Sequence, residues 1–319
     1  MKLSELGEKR IVEKILESIE KCEGVVEIGD DAFAVEFGEF CLVGSIDMVT
    51  QSRHIPKEMT PRQIGKYAVN AGLSDIASMG AIPLGILVSL ALPREREEDF
   101  LLGVVEGISE ACRDHGTCVL GGDTKDHVEI TLTVCSLGKV GKSNLLTRGN
   151  AEVGDLICVT GKLGSAPAGF VCLTRNLDFP KFVAAALEPK ARVKEGVILG
   201  KYANSCMDIS DGLAYSLHEI ADRSGKGFIV YEEKIPIDGD IYKVAEKAKV
   251  DAREMIFYSG GDYELLFTIS EEKFDSLKKK IKCWVIGEVV ERERKLISID
   301  GEEIELEKRG DEAFQSKWI

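Results

Sequence analysis

The sequence lacks any apolar stretch able to cross a membrane. The longest, Ala81 to Leu92, contains Pro83 and Gly85 and falls short of the roughly 20 residues that a spanning helix needs. No signal peptide or membrane anchor is found either, so a cytoplasmic protein is expected. Basic residues are in deficit: 41 Lys and Arg stand against 55 Asp and Glu, a net charge of −14. That disfavours a nucleic-acid binder, which needs a basic face. The nine cysteines include no C-x-x-C pair, and several lie in apolar strand-like runs such as Leu132-Thr133-Val134-Cys135. Buried, reduced thiols fit this better than a zinc or redox site. Internal repeats and low-complexity tracts are also missing.

What remains is a globular composition, 44% hydrophobic and 30% charged over 319 residues, suited to two domains and a cleft between them. A helix is expected over 4–20, then a hairpin turning at Gly38-Glu39, whose returning strand Phe40–Ile46 delivers Asp47 at its end. Thr60-Pro61 reads as an N-cap followed by proline at N1, opening a helix that runs to Met79 and stops at Gly80. A strand (84–92), a helix (95–114) and two strands (117–121 and 128–137), separated by Gly121-Gly122-Asp123, complete an α+β first half, residues 1–141. Residues 142–154 form a linker, and 155–319 a second α/β half. In that half a strand at Leu156–Thr160 leads through Gly161-x-x-Gly164 into a helix; later come a strand at 205–209, a helix at 211–223 and a strand at 264–268.

Five separated places set Asp beside Gly, Ser or a strand end: Gly29-Asp30-Asp31, Ser45-Ile46-Asp47, Ser74-Asp75, Gly122-Asp123 and Asp208-Ile209-Ser210-Asp211-Gly212. Any one of them alone is ordinary turn or cap chemistry. Gathered at one cleft, so many like charges repel unless divalent cations neutralise them, and Mg²⁺ with ATP is the implied ligand set. Asp75 is the least ordinary, because an acid late in a helix among Ile76, Ala77 and Met79 caps nothing and needs a partner if buried. The Gly138-to-Ser143 run ends in Gly-Lys-Ser like a phosphate-binding P-loop. It lacks the first glycine, where Ser136 stands, and lacks a following helix.

Taken in order, Ile28-Gly-Asp-Asp-Ala32, Ser45-Ile-Asp-Met48, Asn70 to Ala81, Gly121-Gly-Asp-Thr124, Met207 to Ala214 and Ser259 to Thr268 resemble the thiamine-monophosphate kinase family over nearly the whole chain. The resemblance implies a two-domain aminoimidazole ribonucleotide synthetase-like fold, a homodimer whose first-half sheets share a barrel, and a three-layer α/β second domain. It implies magnesium ions held by Asp30, Ser45, Ile46, Asp47, Asp75, Asp123, Asp208 and Asp211, with Asp47, Asp75 and Asp211 central to catalysis. ATP would meet Gly122, Arg148 and Ser210, and thiamine monophosphate would meet His54, Asp262 and Phe314. The chain departs from the family pattern in several places. Ile46 replaces a threonine, so only its carbonyl could reach a metal; Thr50 to Arg53 replaces a more apolar stretch; and Asn150 replaces a glycine. Ser259-Gly260-Gly261-Asp262 lacks a glutamate, leaving Asp262 to supply that contact.

Such an enzyme would transfer phosphate directly from ATP to the already ionised phosphate of thiamine monophosphate, with alignment and charge neutralisation replacing a strong general base. Other ATP-using relatives are disfavoured, because Cys22 lies between Lys21 and Glu23 rather than in a glycine-rich loop and the chain ends Lys317-Trp318-Ile319. A nucleotide-binding scaffold without turnover and a metal-dependent phosphatase are the alternatives of other classes.

Overall fold

The computed structural model describes residues 3–19, 25–26 and 29–311; Cys22 and Phe314 lie outside them. The first half builds a six-stranded sheet from β1 (Val25–Val26), β2 (Phe33–Phe37), β3 (Phe40–Thr50), β4 (Ile82–Leu92), β5 (Val119–Asp126) and β6 (Thr131–Gly141), in the order β1-β2-β3-β6-β4-β5. All pairings are antiparallel except β4 with β5. The second half builds a seven-stranded sheet from β7 (Leu156–Val159), β8 (Ser205–Asp208), β9 (Gly227–Tyr231), β10 (Leu265–Ile269), β11 (Trp284–Val290), β12 (Arg294–Ile297) and β13 (Glu303–Glu305), in the order β13-β12-β9-β11-β7-β10-β8. The helices used below are α1 (Glu8–Ser18), α2 (Pro61–Ser78), α3 (Glu98–Asp114), α4 (Ser165–Arg175) and α5 (Leu213–Ser224).

Helix α2 begins as its sequence dictates. The Thr60 hydroxyl accepts from the Gln63 N–H, Gln63 reaches back to the Thr60 N–H, and Pro61 takes N1, which closes a capping box. From Ile64 to Ser78 nearly every residue is buried, as expected of a helix enclosed on all sides. It packs on β3 and β6 of the first sheet, on β8 of the second, and on α3. Small residues make this possible. A Cβ on Gly65 would stand 2.1 Å from the Val104 carbonyl, and one on Gly107 would stand 1.9 Å from the Arg62 carbonyl, so α2 and α3 cross through reciprocal glycines.

The second sheet is buried on both faces. Along β10, Leu265, Phe267 and Ile269 join the core that contains α2, whereas Leu266 joins a second core with Leu163, Leu213 and Leu217. The sheet therefore lies between α2 on one side and its own helices on the other, two layers that its period-2 side-chain alternation serves directly.

Three boundaries differ from the sequence reading. Strand β3 continues to Thr50, so Asp47 sits inside it, in register with Val134. Strand β5 runs straight through Gly121-Gly122-Asp123, in parallel register with Leu87-Val88-Ser89, where a break between strands is expected from the sequence. Gly122 is needed there for close approach, since a Cβ would meet the Val88 carbonyl at 2.0 Å. The opening helix is divided at Gly7, which has φ +76°. The Gly138–Ser143 segment is the end of β6 followed by a single 3-10 turn, Lys142–Asn144, with no helix to receive a phosphate. All eight described cysteines are free thiols.

Candidate active site

A cavity of about 920 Å³ lies where the two halves meet, lined among others by Asp47, His54, Tyr67, Asp75, Phe170, Asp208, Ser210, Asp211 and Tyr263. Four elements bring the acids there. Inward-facing positions of β3 carry Ser45 and Asp47, the last turn of α2 carries Asp75, and the end of β8 carries Asp208. The bend before β2 carries Asp30 and Asp31. One carboxylate oxygen each from Asp31, Asp75 and Asp208 lies within 4.8 Å of the others.

Burial sets the electrostatics of this cluster. It pushes the Asp208 carboxyl up to about 8, with the nearby Asp31 charge adding to the rise. It lifts Asp75 well above the usual carboxylate range, Asp47 being its next contributor, and raises Asp47 as well. The buried Asp47 Oδ2 has no hydrogen-bond partner. Ser74 donates to Asp208 Oδ2 at 2.6 Å. An orphaned buried oxygen amid three converging carboxylates is a donor set for a hard, oxygen-seeking cation such as Mg²⁺.

Asp30, which the resemblance places on the metal, and its neighbour Asp31 have different partners in the fold. Asp30 accepts from the Asp31 N–H at 2.9 Å and the Arg148 N–H at 3.0 Å, so its carboxylate holds the loop. Burial raises it to about 6. Asp31 faces the cluster, accepting from the Asp208 N–H at 3.3 Å and from the Arg148 guanidinium. The same guanidinium meets Glu219 at 3.1 Å, so three carboxylates surround Arg148.

The remaining expected residues scatter in an informative way. Ser210 and His54 line the cavity. His54 Nδ1 accepts from the Thr50 N–H at 3.1 Å, which places the ring proton on Nε2; burial lowers its pKa and favours the neutral ring. The Ser45 hydroxyl lies beneath the cavity, donating to the Gly72 carbonyl at 3.2 Å. Ile46 points out of the sheet with 71% of its surface exposed, leaving its backbone at the rim. Gly122 and Asp123 do not line the cavity; on the edge strand β5, Asp123 pairs with Lys125 at 2.8 Å. Asp262 is also turned away from it. Its oxygens accept from the N–H groups of Gly164 at 2.6 Å and Ala166 at 2.9 Å, capping α4, and burial lifts its carboxyl to about 7.

The loop that carries Asp262 has a tight seat. A Cβ on Gly260 would fall 1.8 Å from the Ser210 carbonyl, the Gly261 N–H donates to that carbonyl at 2.9 Å, and the Tyr263 N–H donates to the Ile209 carbonyl at 3.1 Å. Segments 207–214 and 259–268 are thus one structural unit. Tyr263 adopts φ +51°, a strained backbone for a bulky residue, and sets its hydroxyl 3.3 Å from that of Tyr67. Sequence reasoning missed Asp31, Tyr67, Phe170 and Tyr263. Asp31 left a signal in its place beside Asp30, and Tyr263 in lying within the Ser259–Thr268 segment.

Residues 29–140 match the domain family described as AIR synthase related protein, N-terminal domain, and residues 152–299 match its C-terminal domain. A thiamine-monophosphate kinase of Pyrococcus horikoshii is 34% identical over 292 residues, covering 91% of each chain. The chain belongs to the thiamine-monophosphate kinase family. Among solved structures, a complex of AaThiL with AMPPCP and TMP superposes with a TM-score of 0.87 at 29% identity, covering 98% of this chain and 99% of that one. A thiamine monophosphate kinase from Aquifex aeolicus gives a TM-score of 0.79 at 27% identity, covering 95% and 99%. Of the segments that carry the resemblance, those at 45–48, 70–81, 207–214 and 259–268 supply residues to the cavity, whereas those at 28–32 and 121–124 do not.

Proposed function

We propose that this protein transfers the terminal phosphoryl group of ATP to thiamine monophosphate, giving thiamine diphosphate, by direct in-line displacement assisted by magnesium. The observation that carries the reading is the convergence of Asp31, Asp75 and Asp208 beside a cavity that Asp47, Asp75 and Asp208 line, with the buried Asp47 Oδ2 left without a hydrogen-bond partner. These four residues would hold the ion, with Asp211 and Ser210 beside them at the cavity wall. Bound there, Mg²⁺ would neutralise and align the two phosphate chains. Asp30 and Arg148 fix the loop that aims Asp31. Ser74 orients Asp208 through its hydroxyl. Tyr67, Tyr263 and Phe170 offer an aromatic wall for the rings of the acceptor, and a neutral His54 can donate from Nε2 toward a polar group of the acceptor.

The outer face of the first sheet supports a homodimer. Phe33, Phe37, Phe40, Ile46, Met48, Ile82, Leu84 and Leu87 are all exposed there, whereas the free face of an antiparallel sheet is ordinarily polar. A second copy of the same face would cover it. The Ile46→Glu variant should run as a monomer by light scattering at micromolar concentration where the native protein runs as a dimer, and a monomeric native protein would refute the assembly.

The deciding experiment is incubation with ATP, Mg²⁺ and thiamine monophosphate, with separation of products by chromatography. Equal amounts of ADP and thiamine diphosphate, absent without Mg²⁺, are expected. ADP formed with inorganic phosphate alone would replace the kinase reading with a phosphatase.

A further inference from the structure

Of the five cavity-lining aspartates, Asp47, Asp75, Asp208, Asp211 and Asp311, Asp211 is set apart. Its carboxylate, like that of Asp47, lies outside the group of converging oxygens, but it already holds a cation: Lys9 Nζ stands 2.5 Å from Asp211 Oδ2. Lys9 is the second residue of α1, whose first, Glu8, lines the cavity. The ammonium also sits 3.0 Å from the centroid of the Tyr215 ring, one turn along α5 from Asp211, so carboxylate and aromatic face receive it together. The other side of Asp211 is equally fixed. Its carbonyl accepts from the Asp311 N–H at 2.8 Å, and Gly310 packs so closely that a Cβ would lie 2.4 Å from that carbonyl.

We infer that Lys9 is a positioning residue that serves at Asp211 as a built-in cation, taking the place of a divalent ion at that carboxylate. This rests on reading the cavity as a divalent-metal and nucleotide site. A lysine ammonium is a compact point charge with three donors. Seated on Asp211 and the Tyr215 ring, it balances the carboxylate and steadies the cavity wall without a metal having to be recruited. The chain's divalent ions are then gathered at Asp31, Asp47, Asp75 and Asp208, and α1 becomes part of the site through one side chain.

The test counts ions rather than turnover. Full-length native protein, Lys9→Met and Lys9→Arg, each checked for native fold by circular dichroism, are titrated with Mn²⁺ in the presence of a non-hydrolysable ATP analogue, and free Mn²⁺ is read by electron paramagnetic resonance. Lys9→Met should bind one more Mn²⁺ per chain than the native protein, because Asp211 is released to recruit one. Lys9→Arg should keep the native count. Equal counts in Lys9→Met and native protein would overturn the inference, including the case of equal counts with tighter binding, which would make Lys9 a side chain that metal merely displaces. A native protein that binds no Mn²⁺ at all would instead overturn the metal-site reading beneath it.

Discussion

Asp75 and Asp123 both sit in short Gly- or Ser-flanked motifs, and on the sequence they look like equivalent members of one acidic set. The fold gives them opposite environments. Asp75 is enclosed by α2, β3 and β8 among other carboxylates, and burial drives its pKa well up. Asp123 lies on an edge strand with 61% of its side chain exposed, and a hydrogen bond from Lys125 holds its pKa below the usual range. Charge gathered where water is excluded costs stability and can only be retained for a ligand that repays it. Charge on an exposed edge costs nothing and keeps the strand from pairing indiscriminately.

The largest expected effect breaks this contrast at Asp75. Asp75→Asn should lower turnover on the order of 10³-fold, as loss of a preorganised charge-stabilising group does, yet raise the thermal midpoint of the metal-free protein by removing a buried like charge. Steady-state kinetics and calorimetry read the two halves, and a variant that loses stability along with activity would contradict the account. Next comes pH. Asp208 and Asp30 titrate at about 8 and about 6 in the folded protein, against about 3.9 in an unfolded chain. Between those values the folded state holds protons that the unfolded state has released, so metal-free stability should fall as pH rises from 4 towards 8. Saturating Mg²⁺ should flatten that slope, and denaturant midpoints across the range check it.

A smaller effect sharpens the comparison at Asp262. As a cap on α4, Asp262→Ala should cost about 1–2 kcal/mol in denaturant unfolding while leaving the KM for thiamine monophosphate near its native value. A raised KM without loss of stability would restore it as a substrate contact. The smallest is at Asp123, where Asp123→Asn should leave the thermal midpoint of the metal-free protein unchanged.

Much of this was legible before any coordinates. The Thr60-Pro61 start of α2, the hairpin at Gly38-Glu39 and the empty promise of Gly138 to Ser143 follow from local chemistry that tertiary packing does not override. The acids were legible as a set, because Asp75 has no local use. What was not legible is which oxygen points where. Asp30 and Asp31 are neighbours of identical type, and only the Arg148 N–H, more than a hundred residues away, decides which of them turns to the loop. The capping of α4 by Asp262 is not legible for a similar reason, since the helix end it caps is remote in sequence. Strand β5 carries two glycines that read as a break, yet the close approach of the Val88 carbonyl makes one of them a requirement for continuity.

Helix α2 gives up its surface to both sheets at once, and this has a consequence for how the molecule comes apart. A chain cut after Gly141 would keep the helix but strip the half of it that faces β8, exposing a run of Ala, Leu and Ile side chains with nothing polar to replace their neighbours. The core that contains α2 belongs to neither half alone. Denaturation should therefore proceed as one concerted transition, seen alike by probes in either sheet, and the pocket of acids should vanish in the same step as the last of the fold.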